Sequence, residues 1–156
     1  MKARRASCIV AASLLALAAA APAATTHRVD DTGTYLSPPT TPMRWRQLAP
    51  GRAGDNTVEG RATVALRLNL SPWLNRPARL YMGLAPTEGE QMIAAWRTQG
   101  RLLPGSVRGG GRTLVFEGVV REPFLQESIE LDLSADGRSV DRAQSLQFFF
   151  EIEVTP

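Results

Sequence analysis

From 58 to 70 the even positions carry Val58, Ala62, Val64, Leu66, Leu68 and Leu70, with Gly60 the single gap. The odd positions from 57 to 69 carry Thr57, Glu59, Arg61, Thr63, Ala65, Arg67 and Asn69. A helix would scatter both sets around its axis, whereas a strand sends successive side chains to opposite faces. Alternation over this length dictates a long strand with one dry and one wet face. Gly60 reads as a bulge in it.

The two-residue period returns along the chain. Leu80, Met82 and Leu84 carry it, then Leu114, Phe116, Gly118 and Val120, then Ile129, Leu131 and Leu133. The last run sets Leu146, Phe148, Phe150, Ile152 and Val154 against Gln147, Phe149, Glu151 and Glu153. A weaker strand starts at Met43, with Met43, Trp45 and Gln47 on one face, and Trp45 and Trp96 read as core. Turn-forming Gly, Pro, Asn and Asp residues separate these runs at 50–56, 71–77 and 135–138. Strands without intervening helices predict an all-β protein, an antiparallel sandwich or barrel in a single domain. One stretch is ambiguous. In 87–99, Thr87 and Glu90 fit a capping box with Met92, Ile93 and Trp96 at helical spacing, although Met92, Ala94 and Trp96 also fit one strand face. The capping signal favours a short helix. The segments 102–105 and 109–111 bracket a mobile connection rich in glycine.

The N-terminus predicts export. Lys2, Arg4 and Arg5 precede an uncharged apolar run over 8–20, and Ala21-Pro22-Ala23 offers the small residues a signal peptidase accepts. The run is shorter than the roughly 20 residues of a membrane span, so no transmembrane anchor is expected. Cys8 starts the run instead of following it, which does not suit a lipoprotein, and Ala6-Ser7-Cys8 after Arg4-Arg5 does not suit the twin-arginine route. The reading is a cleaved Sec signal at 1–23, a flexible Thr/Pro-rich leader at 24–42 and a β-domain at 43–156, delivered to the periplasm or secreted.

Removing the signal changes the charge argument. Three of the 18 basic residues lie in it, which leaves 15 arginines against 15 acids and no lysine. The basic isoelectric point is then no sign of nucleic acid. Cys8 is the only cysteine, so no disulfide staples the domain. Charge is uneven along the chain: residues 24–116 hold 12 arginines and 6 acids, while 117–156 hold 3 and 9. Opposite charges facing each other on neighbouring strands is the simplest outcome.

Catalytic sets are scarce. His27, the only histidine, lies in the expected leader, so no imidazole is expected in the folded body to activate a Ser or Cys nucleophile. Zinc and copper sites built from His and Cys are unavailable, and no cofactor is expected. Gly109-Gly110-Gly111 lacks the lysine of a phosphate-binding loop. Glu130 with Asp132, and Glu151 with Glu153, are side-by-side carboxylates that suit either a glycan-cleaving site or a solvated strand face. Binding candidates are Arg97, Arg101, Arg108 and Arg112 around the glycine-rich connection; Trp73 and Arg76 in a Pro-bounded turn; and Phe149 on an otherwise polar face. The favoured function is non-enzymatic docking of another envelope or exported protein, as an accessory or inhibitor with the arginine-bearing loop as its plug. A pilin-like assembly subunit, a carboxylate-based glycan enzyme and a carbohydrate-binding module are the alternatives.

Overall fold

A computed structural model of the chain describes residues 24–47, 54–86, 92–138 and 146–154. Its elements in order are β1 (Thr25–Arg28), β2 (Tyr35–Ser37), β3 (Arg44–Trp45), β4 (Thr57–Asn69), a 3₁₀ turn (Ser71–Trp73), β5 (Pro77–Leu84), β6 (Ile93–Thr98), β7 (Gly105–Arg108), β8 (Arg112–Val119), β9 (Phe124–Asp136) and β10 (Phe148–Val154). They form two open antiparallel sheets packed as a sandwich, not a closed barrel. The first runs β1-β10-β5-β8; the second runs β2-β4-β9-β6-β7, with β3 also paired to β4.

The alternation places side chains as the sequence reading requires. The even residues of β4 point inward, and Val64, Leu66 and the fully buried Leu68 meet Leu80, Leu84, Phe150 and Ile152 from the opposing sheet in one core cluster, while Val58 packs with Met92 and Ala135 in a smaller one. At roughly 25 cal/mol per Å² of apolar surface removed from water, this core is the main stabilising term in a domain without a disulfide. The β4–β9 register continues without a shift through Gly60↔Leu133, so Gly60 is not a bulge. It is small because Met43 Sδ and Thr41 Cγ2 lie 2.6 and 2.8 Å from where a Cβ would stand. The register shift that does occur lies between β5 and β8, at Leu80/Tyr81.

Three expectations about loops are corrected. Residues 24–42 are not a free leader: β1 pairs with β10 and β2 with β4, and Val29, between them, is 2% exposed. The segment has few apolar side chains because its order comes from backbone pairing to strands already buried, as at Val29 N–H to Phe150 C=O (2.9 Å). Short strands and prolines along β4 also blunt an edge that would otherwise invite aggregation. Residues 93–98 form a strand, not a helix, because β6 completes the free side of β9 while Ala94 and Trp96 enter the core. The capping residues Thr87 and Glu90 lie outside the described residues. The glycine-rich connection contains β7, and its turn is tied to β5 by Gly110 N–H to Leu84 C=O (2.8 Å) and Leu84 N–H to Gly111 C=O (3.1 Å).

Candidate functional site

The candidate arginines do not converge. Arg97 lies on the outer face of the second sheet, 3.2 Å from Asp132 and 3.5 Å from Glu130. Arg112 lies on the outer face of the first sheet and bridges Glu151 (2.9 Å) and Glu153 (2.7 Å), with its guanidinium 4.5 Å from the Tyr81 ring. Arg101 meets Glu122 at 3.0 Å. Arg108 is exposed at the end of β7 and makes no ion pair among the described residues. With Arg61–Asp132 and Arg79–Glu117, both at 2.8 Å, the basic and acidic stretches of the chain neutralise each other across neighbouring strands. That expectation holds. A pinned turn and separated arginines do not form a plug.

The aromatic candidates also resolve. Trp73 is 8% exposed and packs into the core, so it is not a projecting anchor. His27, on β1, meets the Trp73 ring with 5.8 Å between centroids, and its imidazole makes no hydrogen bond among the described residues. The folded body thus holds an imidazole after all, beside an indole and not a nucleophile. Phe149 lies over Gly83, its register partner on β5, where its ring fills the space a Cβ would need, and Arg28 covers it at 4.5 Å. The anomaly on the polar face is a ring shielding a glycine. Trp45 is 46% exposed rather than core: its edge strand leaves one side of the ring open while the other lies on Gly137 and Val58. Tyr35 and Trp45 sit opposite Ala65 and Val58, on different faces of β4, and so make no shared stacking platform. Arg76 is exposed, and its carbonyl accepts from Val120 N–H at 3.0 Å.

The carboxylates suggested for catalysis are held by arginines. Burial pushes Glu153 up, but hydrogen bonds from Tyr81 O–H (3.0 Å) and Arg112 outweigh it and hold the group below its ordinary value. Asp136 is lowered to about 2, first by its hydrogen bond from Arg138, and bonds from Thr32 and Thr57 lower Asp30 and Asp55. A glycosidase acid needs the opposite shift. Among the described residues, no three His, Cys, Asp or Glu are placed to hold a metal, and no helix is long and apolar enough to cross a membrane.

These depressed values carry a sign. A carboxyl lowered in the fold contributes stability that is complete above its unfolded value of about 4 and is lost as pH falls through the folded value. Tyr81 is raised, chiefly by burial and then by its bond to Glu153, so its contribution is complete below about pH 10 and lost above it. The urea midpoint should therefore be level from about pH 5 to 9 and fall between roughly pH 4 and 2. A midpoint unchanged at pH 2 would contradict the paired-carboxylate geometry.

What remains is a groove that the sequence reading missed. It lies at the end of the sandwich where β6 leaves β9 at Thr98↔Ile129 and the chain 103–106 leaves β8 at Val115. Beyond those points one flank of each sheet is uncovered. The opening, about 180 Å³, is lined by Leu70, Phe116, Val119, Val120, Phe124 and Leu125, with Arg101, Arg121 and Glu122 at its rim. Val119 is 40% exposed and Phe124 37%. Arg67 lies 4.8 Å from the Phe124 ring, and Arg121 makes no ion pair among the described residues.

Arg101, at the groove's rim, is held in place by Glu127. Its carboxylate accepts from Thr98 O–H, Arg101 N–H (2.8 Å) and Leu102 N–H (3.2 Å) and so binds the loop 98–102. Gly100 lies against the same carboxylate, which leaves no room for a Cβ. A signal for this residue was present: Glu127 is the one charged residue in the inward series Leu125, Glu127, Ile129, Leu131, Leu133, Ala135. An acid in an apolar register is there for a partner. Comparison with protein-family models, curated proteins and solved structures yields no match for this chain, so its reading rests on this geometry alone.

Proposed function

We propose that the protein is exported and acts without catalysis, by docking another envelope or exported protein through the groove at 116–125. The observation that carries this reading is the apolar opening at the end of the sandwich, lined by Leu70, Phe116, Val120 and Leu125, with the part-exposed Val119 and Phe124 at its mouth. Apolar centres with arginine at the rim are how protein contacts are commonly built. The alternatives draw less support: the paired carboxylates are engaged by arginine, and Tyr35 and Trp45 lie on different faces of β4.

A photo-crosslinking amino acid placed at Val119 or Phe124 tests it, with Arg108 at the opposite end of the sandwich as control. Irradiated cells of the producing organism should show one discrete adduct from the groove positions and none from Arg108, and Arg121→Glu should abolish it. Adducts of equal yield from all three positions, or none from any, would reject the reading.

A further inference from the structure

The groove has a second property, in its backbone. Val120 N–H bonds to Arg76 C=O, so Val120 faces β5 in the ladder. Antiparallel pairing alternates: Gly118 and Phe116 then also turn their peptide groups to β5, while those of Glu117 and Val119 turn outward. On that outer side the chain 103–106 accompanies β8 only as far as Val115, where Leu103 N–H donates to the Val115 carbonyl (2.7 Å). From Phe116 onward β8 is a free strand edge.

The side chains beside this edge form a matching socket. Gly118 opposes the buried Ala78 and therefore faces inward, where it presents no side chain. Phe116 and Val120, one on each side of it, both line the groove. An added strand would set one apolar side chain into that gap and direct its neighbours outward. At the rim Arg121 is without an ion pair among the described residues, and Arg101 is matched only by the exposed Glu122. Such a rim favours carboxylates on the incoming chain.

We infer that the partner docks by strand addition: an extended segment with one buried apolar side chain and flanking carboxylates pairs with the edge at 116–119. This rests on the docking reading above and specifies its mode. Main-chain bonds would supply affinity, while the socket and arginines would supply selectivity.

The probe is a synthetic eight-residue peptide alternating threonine and leucine and ending in two glutamates, titrated into the ¹⁵N-labelled purified chain. Three controls accompany it: an arginine-ended form, and two forms N-methylated at one or the other set of alternate amides. Strand addition predicts shifts at the Glu117 and Val119 amides and slowed hydrogen exchange there. One methylated set should bind at least roughly tenfold more weakly and the other within about twofold, because only one set points at β8. The arginine-ended form should also lose roughly tenfold. Equal binding by both methylated forms would overturn strand addition while leaving the docking reading intact. So would failure of every peptide to move Glu117 and Val119 if the groove crosslinks still form. If the crosslinks fail as well, both readings fall.

Discussion

Glu127→Ala is expected to cost about 2–4 kcal/mol of folding stability and to release the loop that carries Arg101 at the groove's rim. The carboxylate is the shared acceptor of Thr98 O–H, Arg101 N–H and Leu102 N–H. Hydrogen bonds to a charged acceptor are each worth more than neutral ones, and donors left without a partner carry a further desolvation cost. Alanine removes all of this without offering a replacement. Glu127→Gln keeps the shape and one good acceptor oxygen but turns an N–H₂ group toward donors, so about 1–2 kcal/mol is expected. Urea denaturation followed by tryptophan fluorescence measures both, and Trp96 makes a local reporter because its Nε1–H donates to Leu103 C=O (2.9 Å) in the same loop. An alanine variant within about 0.5 kcal/mol of the parent would show that the loop holds itself.

Phe150→Ala should be the more damaging core change, at about 3–5 kcal/mol. Phe150 is 1% exposed and packs in the central cluster, opposite Met82 on β5. Domains of this size are stable by only about 5–15 kcal/mol, so the variant should be partly unfolded at moderate temperature. Its neighbours make the test specific. Phe148 is a partly buried flank of the same core, whereas Phe149 faces outward beneath Arg28. The costs of alanine should therefore fall in the order 150, 148, 149, with Phe149→Ala near 1 kcal/mol. A Phe149 variant as damaged as the Phe150 variant would mean that β10 lies with its other face inward. Three adjacent phenylalanines of identical composition differ only in which way the strand turns them.

How far this architecture is legible in the sequence varies by segment. β4 and β10 are visible because each buries every second residue, and a one-residue slip would expose the whole set. The opposed charge content of 24–116 and 117–156 likewise foretold the pairs Arg61–Asp132, Arg79–Glu117 and Arg112–Glu151. β6 was ambiguous because Met92, Ile93 and Trp96 satisfy a helical period as well as Met92, Ala94 and Trp96 satisfy a strand. Its conformation is chosen by the open edge of β9, which lies more than 30 residues away. β1 and β2 carried almost no signal, since an edge strand can be held by its backbone alone. The groove was invisible for a related reason: it exists where strands stop short of their neighbours.

Local alternation determined the fold class, the identity of the inward residues and the mutual neutralisation of charge, because each depends on the side chains of a single strand and on which face they occupy. Tertiary structure decided which segments joined the sheets, that Trp73 turned in while Trp45 stayed out, and that Glu127 should hold a loop beside an uncovered edge. Those outcomes depend on peptide groups meeting across long stretches of chain. Peptide groups are the same in every residue, so the sequence pattern carries little trace of which will meet.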